Sequence, residues 1–228
     1  NCDWSSDVCS SDLVIIFDFD GTLADSRDVF VDIVNRLAPT FGYQPVGTAE
    51  LEELASLSSE EIIERANICR LKIPFILRRV KQELNKEIED LKPISQIENS
   101  LLQLKEEGYQ LGIITSNLRE NVEIFLKNNH LDELFNFICS GITLFGKNKI
   151  INRIIKKHNL QHDEVIYVGD ETRDIKAAHK SRISVIAVGW GFNSPAILAE
   201  YQPDFLIEHP QQLTEVIKLL TNTSFARL

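Results

Sequence analysis

The hydrophobic positions of this chain fall into short continuous runs separated by longer amphipathic stretches. Leu13-Val14-Ile15-Ile16-Phe17 is apolar at every position and rich in β-branched residues, the pattern of a parallel strand buried on both faces. Comparable runs recur at residues 111–114, 137–139, 165–168, 185–188 and 205–207. Between them the apolar residues take helical spacing. Residues 96–107, 121–128, 149–158 and 174–180 read as helices, Gly108 marks the C-terminal end of the first, and Ser194-Pro195 opens another. Strands alternating with helices predict an α/β fold, a doubly wound parallel sheet with a Rossmann-like core.

Residues 27–93 break the alternation. Four helical patterns, 29–41, 49–57, 60–70 and 74–91, follow one another without a convincing strand. Ser58 with Glu61 three residues later forms a capping-box pattern. In the last pattern Ile76, Leu77, Val80, Leu84, Ile88 and Leu91 make one apolar face. The segment reads as a small helical cap inserted into a core built from residues 13–26 and 94–228, with crossings near Ser26 and Pro93. Residues 1–12 stand apart. Asp3 to Leu13 resembles the conceptual translation of a sequencing-library adapter, and the chain contains no Met, so the tail is set aside as non-native.

Composition narrows the classes. With 228 residues, 43% of them hydrophobic, the chain suits one or two domains with a sizeable core. Lys plus Arg number 24 against 34 Asp plus Glu, a net charge of −10. Such an acidic surface argues against gripping nucleic-acid phosphates. No apolar run approaches the roughly 18–20 residues of a membrane span. With the tail set aside, Cys69 and Cys139 remain, far apart and in apolar surroundings, which predicts neither a disulfide framework nor a metal site and suits the cytoplasm. His130, His158, His162, His179 and His209 show no ligand spacing.

Chemistry concentrates where the first run ends, at Asp18-Phe19-Asp20-Gly21-Thr22-Leu23-Ala24-Asp25-Ser26. In an extended chain Asp18 and Asp20 project the same way, at the strand end where open α/β sheets bind ligands. Two carboxylates brought together repel unless a cation or a shared proton relieves them, and oxygen-only ligands favour Mg²⁺. Gly21 lets the backbone turn its N–H groups toward an anion. As a bare D-x-D, the pair could equally be two solvated acids at a strand-to-loop turn.

The nine residues from Asp18 to Ser26 resemble the first motif of the haloacid dehalogenase superfamily, in its phosphatase branch. The resemblance continues in order. Thr115 ends the next core strand and is followed by Ser116 and Asn117; Lys147 follows Phe145-Gly146; Gly169-Asp170-Glu171-Thr172-Arg173-Asp174 follows the fourth run. It covers residues 13–210, and the helical insert looks like the small cap of the subgroup that contains phosphoglycolate phosphatases. The resemblance implies that Asp18 is the nucleophile and Asp20 the general acid and base. It implies Mg²⁺ held by Asp18, Asp20 through its backbone carbonyl, and Asp170. Asp174 would orient the metal's water shell or Lys147, unless it is an ordinary helix-start acid. Gly21, Thr115, Ser116, Asn117 and Lys147 would hold the phosphoryl group, although Asn117 could instead cap the following helix and Lys149 rivals Lys147. The implied partner is a small phosphorylated metabolite, the implied assembly a monomer or homodimer.

Other readings weigh less. Residues 141–148 approach the phosphate-loop pattern, but Asn148 stands in place of the required hydroxyl, and the loop interior Ile-Thr-Leu-Phe is bulky. A dehalogenase would not need Asp20 or a metal. A phosphomutase of the β-phosphoglucomutase type would share the four motifs. A non-catalytic binding module would be signalled by loss of Asp18, Asp20, Lys147 or Asp170, and all are present. Lys72, Arg78, Arg79 and Lys81 form a basic cluster in the insert; Arg78 or Arg79 could reach a substrate anion or face solvent. Trp190 and Phe192 could line a cleft or serve packing.

Overall fold

A computed structural model of the chain describes residues 2–4, 13–65, 68, 70–140 and 146–225. In chain order its elements are β1 (Cys2–Trp4), β2 (Val14–Phe17), α1 (Arg27–Phe41), α2 (Thr48–Ala55), α3 (Ser59–Arg65), α4 (Ile73–Glu87), α5 (Ile97–Glu106), β3 (Gln110–Ile114), α6 (Arg119–Asn128), β4 (Phe137–Cys139), α7 (Lys147–His158), β5 (Val165–Gly169), α8 (Thr172–Ser181), β6 (Ser184–Val188), α9 (Pro195–Glu200), β7 (Phe205–Ile207) and α10 (Leu213–Phe225). The strands form one sheet in the order β1-β4-β3-β2-β5-β6-β7, parallel from β4 to β7. The doubly wound α/β fold is therefore the observed one.

The pleat of β2 divides the core. Ile15 and Phe17 join the apolar layer of Leu101 and Leu104 from α5 and Ile217 from α10. Val14 and Ile16 join the opposite layer, with Ile151 and Ile154 from α7 and Ile175 from α8. All four side chains of β2 are fully buried, each contributing about 1.5–3 kcal/mol of apolar transfer. This two-sided burial explains why the strand reads as continuously apolar. Because β2 pairs with β3 on one side and β5 on the other, the carboxyl ends of these strands open a crevice at the switch in strand order.

The N-terminal tail departs from expectation. Cys2–Trp4 pairs antiparallel with β4, covering an edge that would otherwise expose unpaired backbone groups. Cys139 is disulfide-bonded rather than a lone thiol, and the register sets Cys2 opposite it. Setting the tail aside had removed Cys2 and Cys9 from consideration. Residues 5–12, Cys69 and the interior of the phosphate-loop look-alike, 141–145, lie outside the described residues, as do parts of the helix expected over 60–70.

Among the described residues, 27–87 contain helices and no strand. Ile33 and Leu37 of α1 pack with Ile76, Val80 and Leu84 of α4 in an apolar cluster of their own. The chain enters and leaves this helical insert side by side: Asp25 N donates to Lys92 O, and Ile94 N to Leu23 O, each at 2.9 Å. Helix α4 stops at Glu87, and Ile88 and Leu91 continue its apolar face from the turn beyond. Ser58 and Glu61 form the expected cap, with Ser58 N donating to Glu61 Oε2 at 2.7 Å. No described helix is long and apolar enough to cross a membrane.

Candidate active site

The loop after β2 is a tight turn. Leu23 and Ala24 N–H groups both donate to Phe19 O, and Gly21 takes φ +78°. A Cβ on Gly21 would fall against Asp170 Oδ2 and lie 2.6 Å from Phe192 Cδ2, so the position requires glycine for both conformation and space. Asp18 is buried. Its Oδ1 accepts the Phe19 N–H at 2.7 Å and its Oδ2 meets Lys147 Nζ at 2.6 Å. The same ammonium reaches Asp174 Oδ1 at 2.5 Å. Lys147 is 3% exposed and opens α7, two residues before the expected start, while Lys149 is exposed on the same helix. Burial works against the Lys147 charge, but Asp174 and Asp18 outweigh it and hold the amine well above its usual range.

Asp170 follows β5. Thr22 Oγ1 donates to its Oδ1 at 2.7 Å and Phe192 N–H to its Oδ2 at 2.8 Å. Burial raises the Asp170 carboxyl well above the carboxylate range, with Glu171, Asp18 and Asp174 adding to the effect. Asp174 serves twice: one oxygen takes Lys147, the other accepts the Glu171 N–H at the start of α8, at 3.2 Å. Asp174 thus marks the helix start and pairs with Lys147 at once. Oxygens of Asp18, Asp170 and Asp174 lie within 4.8 Å of one another, all three residues buried. Three carboxylates facing one lysine leave a net negative, oxygen-only donor set, which fits a divalent cation. The Asp20 carboxylate is not in that set.

Asp20 instead points to β3's end. Asn117 Nδ2 donates to both of its oxygens at 3.1 Å. Burial, reinforced by the charge of Asp18, pushes the Asp20 carboxyl up to about 6, a range suited to proton transfer. Thr115 is fully buried, its Oγ1 accepting the Asn117 N–H at 2.9 Å, and Ser116 beside it is half-buried. Asn117 Oδ1 also accepts the Leu118 N–H at 2.8 Å at the start of α6. The expected Asn117 is thus present, with its amide nitrogen directed to Asp20.

Several further residues surround the site. Arg173 bonds Glu171, yet its Nε and Nη1 are buried without a partner. Asn193 Oδ1 accepts the Thr172 N–H at 3.0 Å while its Nδ2 reaches Leu57 O in the insert at 2.9 Å. Of the basic cluster, Arg78 and Arg79 face solvent, Arg79 pairing with Glu83 at 2.9 Å. Lys81 is the half-buried member. Burial lowers its amine's affinity for protons, and among charged groups Asp20 and Arg173 act on it most. Trp190 Nε1 donates to Thr22 O at 3.2 Å, and Phe192 meets Phe30 of α1 edge-to-face at 5.4 Å. Phe192 therefore packs where insert and core meet, while Trp190 packs against the core.

A family model described as haloacid dehalogenase-like hydrolase matches residues 15–188. The chain belongs to this family. Among relatives, a phosphoglycolate phosphatase of Synechococcus elongatus is 36% identical over 206 residues, covering 90% of this chain and 97% of its own. One of Vibrio cholerae is 25% identical over 219 residues, covering 90% and 96%. A solved haloacid dehalogenase-like hydrolase of Streptococcus pneumoniae superposes with a TM-score of 0.74 at 24% identity, covering 91% of this chain and 99% of that one, which speaks for the fold. The haloacid dehalogenase-like chain is thus an enzyme of the hydrolase class.

Proposed function

We propose that this hydrolase is a Mg²⁺-dependent phosphatase of small phosphomonoesters, with a phosphoglycolate-like acid as substrate. The observation that carries the reading is the buried group of Asp18, Lys147, Asp170 and Asp174 at the carboxyl ends of the parallel strands, with Asp20 beside it. The Synechococcus elongatus relative supports the substrate class.

In the reaction an Asp18 carboxylate oxygen attacks phosphorus, forming an aspartyl phosphate as the ester oxygen departs. Asp20 gives that oxygen its proton, so the alcohol leaves neutral. Water then attacks the phosphorus, Asp20 takes its proton, and Asp18 is regenerated as inorganic phosphate forms. Asp18, Asp170 and the Asp20 backbone carbonyl would hold Mg²⁺, with Asp174 supporting Lys147. When bound, the cation screens the phosphate from the carboxylates that must approach it. Lys147, Thr115, Ser116 and backbone N–H groups near Gly21 would hold phosphoryl oxygens. The helical insert serves as a cap that excludes water. Arg173, with two buried unpartnered nitrogens, and half-buried Lys81 supply positive charge for a substrate carboxylate.

The test is phosphate release from a panel of phosphorylated acids, sugars and nucleotides, with and without Mg²⁺, for the wild type and Asp18→Asn. Metal-dependent release that the variant lacks is expected, strongest on the small acids. Isomerised sugar phosphates without free phosphate would instead establish a mutase.

A further inference from the structure

Three carboxamides form a continuous chain from the helical insert to Asp20. Asn85 of α4 donates through Nδ2 to Asn121 Oδ1 at 2.5 Å. Asn121 of α6 donates through Nδ2 to Asn117 Oδ1 at 2.9 Å. Asn117 donates through Nδ2 to both oxygens of Asp20 at 3.1 Å. Each amide has one acceptor end and one donor end, so the bonds fix the direction of all three. Every donor points toward Asp20. Asn121 and Asn117 are buried, with 0% and 2% exposure, and a buried amide that loses its partner pays the full desolvation cost.

We infer that Asn85 is a positioning residue that lets the docked insert orient the Asp20 carboxyl through Asn121 and Asn117. The inference rests on the reading of Asp20 as the group that protonates the leaving oxygen. With α4 in place, Asn121 is held with its nitrogen toward Asn117, and Asn117 with its nitrogen toward Asp20. Without the Asn85 donor, Asn121 is free to turn its amide over, which sets oxygen against oxygen at Asn117 and loosens the hold on Asp20. Asp20 is thereby aligned for proton transfer when the insert covers the site and less well aligned otherwise. Asn85 never touches the reacting atoms, which is why no motif marks it.

The experiment compares kcat/KM on two phosphomonoesters that differ in their need for an acid. 2-Phosphoglycolate has a poor alkoxide leaving group, whereas p-nitrophenyl phosphate leaves readily without a proton. Asn85 is exposed and alanine is a better helix former, so Asn85→Ala should fold. Loss of one relay bond is expected to lower kcat/KM on the alkyl ester by about 3- to 10-fold and on the aryl ester by less than about 2-fold. Asn85→Asp keeps the shape but loses the donor, and should behave like Asn85→Ala. An equal loss on both esters would mark a general docking defect, and no loss on either would mean the relay is idle; both outcomes overturn the inference. So would Asn85→Asp matching the wild type. A wild type inactive on both esters would instead refute the phosphatase reading itself, and the relay with it.

Discussion

Replacing Lys147 with methionine removes an ammonium that links two buried carboxylates while keeping a side chain of similar length. Lys147 Nζ lies 2.6 Å from Asp18 and 2.5 Å from Asp174, and all three side chains are at most 3% exposed. Asp170 brings a third carboxylate within 4.8 Å of the other two. Removing one partner of a buried ion pair typically costs about 3–5 kcal/mol, mostly because the remaining charge is left uncompensated. In a chain of this size each kcal/mol lowers Tm by about 2–4 °C, so metal-free Lys147→Met should melt roughly 6–20 °C below the wild type.

The chemistry of the cluster makes the prediction sharper. If the cost is electrostatic, a divalent cation among Asp18, Asp170 and Asp174 should substitute for part of the lost charge. Excess Mg²⁺ should then raise the Tm of the variant more than that of the wild type. If the cost is only a packing defect, the metal should make no difference between them. Thermal unfolding in chelator and in Mg²⁺ separates the two. A variant melting within about 2 °C of the wild type in chelator, or an identical Mg²⁺ shift for both proteins, would refute the electrostatic account.

Gly21→Ala forces a side chain into a left-handed turn against Asp170 and Phe192; a loss of about 1–3 kcal/mol is expected, and an unchanged urea midpoint would contradict it. The raised Asp20 carboxyl gives a pH signature. Raising it from 3.8 to about 6 corresponds to about 3 kcal/mol against the charged form in the folded protein. Because the folded value lies above the unfolded one, the stability it contributes is complete below about pH 4 and lost as pH rises through 6. Metal-free wild type should therefore gain about 3 kcal/mol on Asp20→Asn between pH 7 and pH 4, and urea titrations showing a constant difference would rule this out. Lys81→Met should raise KM for phosphoglycolate about 5-fold or more while leaving ethyl phosphate nearly unchanged; equal effects on both substrates would remove Lys81 from carboxylate recognition.

What the sequence disclosed and what it hid follow from contact range. Asp18 and Asp20 stood out as a pair at the end of the first strand, whereas Thr115, Lys147 and Asp170 were reached only through the resemblance, because the contacts that bring Lys147 to Asp18 span distant segments. The start of α7 was read two residues late because its first turn, Lys147-Asn148-Lys149, carries no apolar residue to set the phase. The basic cluster left two readings open, substrate contact and solvent, because composition alone does not give helical phase. Arg78 and Arg79 carry the expected forked group, but helical phase turns them to solvent and leaves Lys81 half-buried. Asn85 and Asn121 are 36 residues apart, and Asn193 and Leu57 are 136 apart. Such pairings depend on how insert and core come together, which no short window encodes. The pairing of Cys2–Trp4 with β4 was not legible because nothing in the polar composition of the tail marks a strand, and only the open edge of β4 calls for one.

One lysine among three buried carboxylates is an expensive arrangement for a folded protein, since burial penalises each charge that lacks a partner. The groups that reduce the cost come from separate loops: Thr22 after β2, the Glu171 N–H after β5 and the Phe192 N–H after β6. None of them exists in place until the sheet has formed, so the cluster cannot assemble locally. The last of those loops also holds the insert, through Phe192 against Phe30 and through Ser194 N–H donating to Ala55 O at 2.7 Å. The backbone that compensates Asp170 is thus the backbone that receives the insert. A displacement of the insert must then act on the charge cluster through the loop that both share, which gives the insert a direct physical route to those carboxylates.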